Sequence, residues 1–162
     1  MITFSTLLPE HWESVRSIYE EGIKTGNATF EQQCPDWETW NKVHLLHSRI
    51  VAKVNDEIAG WAALTPVSGR CVYAGVGEVS VYVAEKFRSK KIGNALLQEL
   101  IKQSEENNIW TLQSGIFPEN KNSIKIHEAN GFRIVGYREK IGKMNTVWRN
   151  TILMERRSKN VG

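Results

Sequence analysis

The amino-acid sequence predicts one mixed domain, of the α/β or α+β class, with helices around a central sheet. Its length of 162 residues is that of a single domain. Segments with apolar residues at helical spacing alternate with short segments rich in β-branched and aromatic residues. No internal repeat, low-complexity segment or flexible linker divides the chain. We therefore expect residues 1–162 to fold as one domain around one sheet.

The first third of the chain predicts one short strand and two helices. The strand covers residues 2–4, and Pro9 begins the first helix, which Gly26 and Asn27 end. Asp36 is suited to cap the second helix. The apolar positions of the two helices are Trp12, Val15, Ile18, Tyr19 and Ile23, and then Trp37, Trp40, Val43 and Leu46.

The middle of the chain changes to the period of strands. Residues 49–54 and 57–64 predict a hairpin around a turn at Asn55 and Asp56. A long β segment is expected over residues 71–83. Two glycines inside it indicate a bulge or the close approach of another backbone.

The last third predicts an alternation of helices and strands. A helix over residues 92–107 is followed by a buried strand over 110–116 and a short helix over 120–130. Two closing antiparallel strands are expected over 132–139 and 147–155.

Composition excludes several classes of protein. Hydrophobic residues make up 41% and charged residues 24%, as in a globular chain rather than a disordered or fibrous one. No apolar run approaches the roughly 20 residues of a membrane span, and we expect no signal peptide. Cys34 and Cys71 form no C-x-x-C pair, so we expect reduced thiols in a cytoplasmic protein.

The distribution of charge favours a small ligand. The formal net charge is +3 and the basic residues are dispersed, whereas a nucleic-acid-binding protein usually collects them in a stripe. The one local cluster is Arg88, Lys90 and Lys91. His44 and His47 lie three residues apart without a third ligand at a suitable spacing, so no metal site is expected.

The most informative segment is a strand at residues 78–83 that leads through this basic cluster into the helix near Ile92. The first N–H groups of a helix lack partners, and the helix dipole adds roughly half a positive charge there. With Arg88, Lys90 and Lys91 beside it, such a helix start favours an anion-binding site. The alternative interpretation is a solvated charged turn.

This strand, loop and helix resemble the acyl-coenzyme A pyrophosphate motif, R/Q-x-x-G-x-G/A, of the Gcn5-related N-acetyltransferase (GNAT) family. Arg88 and Gly93 match it, whereas Lys91 and Ser89 stand where the family usually or often has glycine. A left-handed backbone at position 91 would cost lysine on the order of 1 kcal/mol. Residues 18–157 resemble the phosphinothricin and methionine sulfone/sulfoximine acetyltransferase branch, through segments 27–31, 60–64, 72–75, 78–83, 115–120, 131–132, 138–139 and 148–149.

The resemblance implies the GNAT fold, a mixed and mostly antiparallel twisted sheet whose strands splay apart at the acyl-coenzyme A site. It also implies acetyl-coenzyme A as co-substrate and a homodimer. The residues implied to bind the coenzyme are Val81, Tyr82, Val83, Arg88, Ser89, Lys90, Lys91, Ile92, Gly93, Asn94 and Asn120. The alternatives are sheet core for the strand residues and a simple helix N-cap for Asn120.

Glu78 is the candidate general base. An amine acceptor arrives protonated, and a carboxylate can remove the proton directly or through one water. Strand alternation places Glu78, Ser80 and Tyr82 on one face of an apolar segment, where an unpaired carboxylate is costly. The alternative is an ion pair with a structural arginine.

Four further residues are candidates for the site. His127 stands seven residues after Asn120, where many relatives have a tyrosine that protonates the departing thiolate, and histidine can donate a proton near neutral pH. By resemblance, Arg70 and Tyr73 help to hold the acceptor and Phe30 closes over it. An arginine binds a carboxylate or phosphinate through two parallel donors. The alternatives are a structural histidine and an arginine in a surface turn.

The sequence therefore predicts an acetyl-coenzyme A-dependent N-acetyltransferase that acetylates the α-amino group of a small amino acid by direct transfer. Neither cysteine has the setting of a nucleophile, so no acyl-enzyme is expected. One alternative keeps the fold and changes the acceptor to a polyamine or a protein amino terminus. Another is an acyl-coenzyme A-binding sensor without turnover, which would need no base at Glu78.

Overall fold

The computed structural model describes residues 1–162 and contains seven strands and four helices. The strands are β1 (Ile2–Thr6), β2 (Ile50–Val54), β3 (Glu57–Pro66), β4 (Val76–Val83), β5 (Thr111–Ile116), β6 (Arg133–Met144) and β7 (Val147–Arg157). The helices are α1 (Trp12–Lys24), α2 (Trp37–Val43), α3 (Ile92–Glu106) and α4 (Lys121–Ala129). None of the helices is long and apolar enough to cross a membrane.

All seven strands form one sheet in the order β1-β2-β3-β4-β5-β7-β6. Every neighbouring pair is antiparallel except β4 and β5, which are parallel. Their pairing is short, since it begins at Val76 with Thr111 and ends at Glu78 with Gln113. Beyond Glu78 the two strands separate. The expected mixed, mostly antiparallel sheet with splayed strands is thereby confirmed.

Helices α1 and α3 cover opposite faces of this sheet. Neighbouring residues of β3 show this, since successive residues of a strand point to opposite sides. Trp61 faces α1, where its ring centroid lies 5.6 Å from that of Tyr19. Gly60 faces α3, and a Cβ at this position would lie 2.8 Å from the Leu96 side chain. Trp61 and Leu96 are fully buried. Burial of each such side chain contributes roughly 1.5–3 kcal/mol and fixes β3 between the helices.

The strand predicted over residues 71–83 is wrong at its beginning. Cys71–Tyr73 form a 3₁₀ turn, and β4 begins at Val76. The carbonyl of Gly75 accepts a hydrogen bond from the N–H of Trp110 at 2.8 Å. A Cβ at Gly75 would lie only 2.0 Å from the Trp110 ring. The glycine therefore marks a close approach at which the chain turns, and the strand cannot extend before it.

The second helix is shorter than its apolar pattern predicts. It ends at Val43, and Leu46 lies outside it with an exposed fraction of 82%. The buried guanidinium of Arg49 donates to the carbonyl oxygens of Leu45 at 2.8 Å and His44 at 3.0 Å. These carbonyls are thus held by a side chain rather than by another turn of helix.

Candidate active site

The gap between β4 and β5 opens into two connected cavities. The first, here called the inner pocket, has a volume of about 350 Å³. Its wall includes Glu78, Ser80, Ser114, Arg138, Ile141 and Thr151. The second, the outer groove, has a volume of about 460 Å³ and extends to the start of α3. Because both cavities are lined by Tyr82, Asn120 and His127, a ligand in one lies next to a ligand in the other.

Glu78 is the last residue of β4 that pairs with β5, and the two strands separate after it. Its half-buried side chain accepts one hydrogen bond, from Nε2 of Gln113 at 3.2 Å. No arginine or lysine forms an ion pair with it. The alternative of a structural ion pair is therefore wrong, and the carboxylate is available to a ligand in the inner pocket.

The loop before α3 holds two non-glycine residues in the left-handed backbone region. Ser89 has φ 64° and Lys91 has φ 65°. Lys91 is the N-cap of α3, and its side chain makes no capping hydrogen bond. The N–H groups of Ile92, Gly93 and Asn94 consequently have no acceptor within the protein. Free amides beside a basic loop suit an anion such as a phosphate.

The residues predicted to bind the coenzyme fall into two groups. Those that line the outer groove are Val81, Tyr82, Val83, Arg88, Gly93 and Asn120. Those that do not are Ser89, Lys90, Lys91, Ile92 and Asn94. The Ile92 side chain is buried in the core, and Oδ1 of Asn94 accepts a hydrogen bond from Asn130 at 2.7 Å. The side chains of Ile92 and Asn94 are therefore structural, and only the main-chain N–H groups of these two residues are left for a ligand.

Tyr82 serves the core with its side chain. Its ring stacks on Tyr19 and Trp61, at centroid distances of 4.9 Å and 4.8 Å. Burial raises the pKa of the phenol, so it stays neutral. A Cβ at Gly22 of α1 would lie 2.6 Å from this ring, so only glycine admits the contact without a shift. The stack fixes β4 in place while its main chain borders the groove.

His127 lies at the junction of the two cavities and is 4% exposed. Its Nδ1 is 2.7 Å from the carbonyl oxygen of Ser123, which can only accept a hydrogen bond, so Nδ1 carries a proton. Nε2 is buried and has no partner. Burial lowers the pKa of the imidazole because it disfavours the cation. The neutral ring therefore has an unused lone pair at Nε2.

Asn120 is the N-cap of α4, as its alternative interpretation held. Its Oδ1 accepts a hydrogen bond from the N–H of Ser123 at 3.3 Å. Its Nδ2 donates to the carbonyl oxygen of Asn27 at 3.2 Å. Asn120 thereby connects α4 to the loop that follows α1, beside both cavities.

Arg149 of β7, for which the sequence predicts no role, connects the same loops from the other side. It donates to the carbonyl oxygen of Gly26 at 2.8 Å and to Oδ1 of Asn27 at 2.9 Å. It also pairs with Glu119 at 3.4 Å and stacks 4.0 Å from the centroid of Phe117. Its side chain is only 15% exposed.

The three predicted acceptor-binding residues are not brought together. Phe30 lines the inner pocket and packs edge-on against Phe117, at a centroid distance of 4.9 Å. Arg70 and Tyr73 are exposed and lie outside the residues that line the pocket. The guanidinium of Arg70 instead stacks on the ring of Tyr73 at 5.6 Å.

The inner pocket is lined instead by Arg138 and Ile141 of β6, which were not among the predicted acceptor-binding residues. Arg138 is the last regularly paired residue before an irregularity in β6, and Ile141 lies within that irregularity, which no feature of the sequence marks clearly. The sequence offered Arg138 only as part of the resemblance to acetyltransferases. No group of three or more His, Cys, Asp or Glu side chains is placed to hold a metal ion.

An unpaired carboxylate lies where two parallel strands separate, next to a groove that leads to free helix amides. This arrangement suits a transferase that takes its acyl group from a phosphate-bearing thioester. The model of the acetyltransferase (GNAT) family matches residues 11–132, which is most of the chain. The protein belongs to this family and is an N-acetyltransferase of the GNAT type.

Named relatives lie in the branch that the sequence resembles. The YwnH protein of Bacillus subtilis is 32% identical over 146 residues, which cover 85% of this chain and 89% of the relative. The L-methionine sulfoximine/L-methionine sulfone acetyltransferase of Pseudomonas aeruginosa is 30% identical over 102 residues, 61% of this chain and 58% of that protein.

A solved structure with a bound coenzyme shares the fold. The phosphinothricin acetyltransferase of Sinorhizobium meliloti in complex with acetyl-coenzyme A superimposes with a TM-score of 0.87 at 25% identity. The match covers 96% of this chain and 88% of that one. The GNAT fold predicted from the sequence is thus confirmed.

Proposed function

We propose that the protein transfers the acetyl group of acetyl-coenzyme A directly to the α-amino group of a small amino-acid-like acceptor of the phosphinothricin or methionine sulfone/sulfoximine type. The observation that carries the proposal is the unpaired Glu78 carboxylate, placed where the inner pocket meets the gap between β4 and β5. A cavity of about 350 Å³ has room for an amino acid. The names of the relatives point to the same class of acceptor.

In this proposal Glu78 takes a proton from the acceptor ammonium, directly or through one water, and later releases it to solvent. The free amine attacks the thioester carbonyl, and a main-chain N–H of residues 81–83 stabilises the oxyanion. The attached nitrogen then loses its second proton to solvent, and the C–S bond breaks. His127 binds a second proton from solvent at Nε2 and gives it to the departing thiolate. Its bond to the Ser123 carbonyl favours the protonated ring, whereas burial opposes it.

The coenzyme would lie along the outer groove. The main chain of Val81, Tyr82 and Val83 has no strand partner on the side facing β5, so an extended pantetheine arm can pair with it. The pyrophosphate would bind the free amides of 92–94, with Arg88, Ser89, Lys90 and Lys91 around it. Asn120 would offer its side-chain amide from the opposite wall.

Arg70 and Tyr73 stay candidates for binding the acceptor, in a role outside the pocket wall. We also place the enzyme in the cytoplasm, where the two free thiols of Cys34 and Cys71 would remain reduced.

An acceptor screen tests the substrate class. Release of free thiol from acetyl-coenzyme A is measured with methionine sulfone, methionine sulfoximine, phosphinothricin, methionine, glutamate, spermidine and a peptide with a free amino terminus. We expect the three oxygen-bearing tetrahedral acceptors to give the highest kcat/KM. A pocket that hydrogen-bonds extra oxygens discriminates strongly against acceptors that lack them. A higher value for spermidine or the peptide would contradict the proposed substrate class.

The substitution Glu78→Gln tests the base. It keeps the shape and the hydrogen bond to Gln113 but cannot take a proton, so turnover at pH 7 should fall at least about 100-fold. Affinity for acetyl-coenzyme A should change little, and a higher pH should recover part of the rate because more amine is then free. Near-normal turnover at pH 7 would exclude Glu78 as the base. Binding of acetyl-coenzyme A by the wild type without turnover on any amine would identify a sensor.

We further infer a homodimer formed through the outer edge of the sheet. β6 is an edge strand of 12 residues and exposes the apolar side chains Ile134, Val135, Tyr137 and Ile141. A long apolar edge invites pairing with another copy. Light scattering should give twice the chain mass of 18.5 kDa, and Tyr137→Lys should shift the protein toward the monomer. A monomeric wild type would contradict the inference.

A further inference from the structure

We infer that Arg138 binds an anionic group of the acceptor in the same pocket as the base Glu78. The inference rests on the proposed function and adds the residue that recognises the acceptor. Arg138 and Glu78 are the only two side chains of the inner-pocket wall with a formal charge in their ordinary state at pH 7, since His127 is neutral. An amino acid with an anionic group needs this pair of charges, a carboxylate for its ammonium and a cation for its anion.

The guanidinium of Arg138 is free to take a ligand. Arg138 is exposed, and its side chain forms no ion pair and no hydrogen bond within the protein. Its neighbours on the same hairpin differ, because Arg133 pairs with Glu155 at 2.7 Å and Arg149 is held by the loops at the pocket mouth. A guanidinium can donate two parallel hydrogen bonds to a carboxylate or a phosphinate.

Arg138 stands beside Thr151, which also lines the pocket, at the point where β6 leaves its regular pairing. Arg138 pairs with Thr151 and Gly142 pairs with Arg149, so three residues of β6 stand opposite one residue of β7. Lys140, inside this bulge, has φ 48°, and its N–H donates to Oδ1 of Asn150 at 2.8 Å. A bulge bends its strand and redirects side chains, and bulges of this kind are common beside active sites.

A contact at Gly142, on one side of the bulge, holds the hairpin against Phe30 at the pocket. A Cβ at Gly142 would lie 2.9 Å from the ring of Phe30, so the two elements are in direct contact. Ser80, Ser114 and Thr151 add three hydroxyl groups to the same wall. The guanidinium and the hydroxyls together suit a group that carries several oxygens.

The experiment compares Arg138→Ala and Arg138→Lys with Arg133→Ala, an arginine substitution on the same strand away from the pocket. Steady-state kinetics use phosphinothricin, methionine sulfone and the α-carboxamide of each. We expect Arg138→Ala to raise the acceptor KM about 10- to 100-fold and to leave the acetyl-coenzyme A KM within about twofold. Lysine should recover part of the loss. Arg133→Ala should behave as the wild type, and thermal unfolding checks that each variant is folded.

The acceptors distinguish which anion Arg138 binds. If it binds the side-chain phosphinate, the effect should disappear with methionine sulfone, whose side chain is neutral. If it binds the α-carboxylate, the effect should disappear with the carboxamides.

Two outcomes would overturn the assignment. One is an unchanged acceptor KM in Arg138→Ala. The other is a larger effect of Arg70→Ala on the same acceptors. In both cases the wild type still acetylates amino acids, so the proposed function stands. A wild type that acetylates none of these acceptors would overturn the proposed function and the role of Arg138 together.

Discussion

Replacing Lys91 with glycine should make the protein more stable and its coenzyme binding weaker. Lys91 holds φ 65° and ψ 15° at the N-cap of α3. A left-handed backbone costs a non-glycine residue roughly 1–2 kcal/mol. Glycine removes this cost, but it gains about 0.4–1 kcal/mol of backbone entropy in the unfolded chain. Loss of a positive charge beside the positive end of the helix dipole adds about 0.3 kcal/mol. The net gain in free energy of unfolding is about 0.3–1.9 kcal/mol, or roughly 1–8 °C in Tm.

The same change removes a cation from the loop that we propose binds the pyrophosphate. The dissociation constant of coenzyme A should rise about 5- to 10-fold, whereas that of pantetheine, which has no pyrophosphate, should not change. Lys90→Gly is the matched control, because Lys90 is outside the left-handed region and loses the same charge. It should weaken coenzyme A binding as well but lower the stability.

Urea unfolding of the ligand-free protein gives the free energy of unfolding of each variant. Calorimetric titration gives its dissociation constants for coenzyme A and pantetheine. The reasoning fails if Lys91→Gly is no more stable than Lys90→Gly. Equal losses of affinity for coenzyme A and pantetheine would remove the loop from the phosphate site.

Two further predictions concern buried or half-buried polar side chains. Burial lowers the pKa of His127 in the folded protein. The neutral ring therefore contributes stability at pH values above about 6.5, which is the pKa of histidine in the unfolded chain. This stability is lost as the pH falls toward the folded pKa. His127→Gln should therefore lose less free energy of unfolding between pH 7 and pH 5 than the wild type, as urea midpoints would show, and equal losses would contradict the burial argument. Arg149→Met should raise the KM of both substrates several-fold, since it releases the loops at Gly26 and Glu119. An effect on one substrate alone, in kinetics at saturating co-substrate, would refute this coupling.

Much of the fold could be predicted because its elements have strong local signals. The helix at 92–107 has a regular apolar stripe, and α3 covers Ile92–Glu106. The hairpin of β2 and β3 has its turn at Asn55 and Asp56, which both take positive φ. The prediction failed where contacts distant in the chain decide the structure. Trp110 packs on Gly75 and shortens β4, and Arg49 takes carbonyls that an extended α2 would need.

The candidate site divides in the same way. Glu78 and the basic loop at residues 88–91 lie within one continuous segment, so spacing and resemblance were sufficient to choose them. Three residues of the inner-pocket wall, Arg138, Ile141 and Thr151, lie on β6 and β7 near the other end of the chain. A bulge in β6 lies between Arg138 and Gly142. Alternation along the strand cannot place such a bulge. Arg70, chosen by resemblance, is exposed at the start of the 3₁₀ turn Cys71–Tyr73.

The contact of Arg149 with Gly26 also bears on how the active site assembles. The two residues are 123 positions apart, so the bond closes a loop of most of the chain. Contacts of this separation form late in folding, because the entropy of closing a long loop must first be overcome. A nascent chain that ends before β7 already contains Glu78 and the basic loop at residues 88–91. It also contains the Asn120–Asn27 hydrogen bond between the start of α4 and the loop after α1, but it lacks the contacts of Arg149 with the same two loops. The wall of the inner pocket, which includes Thr151, thus becomes complete only when the last strand has joined the sheet.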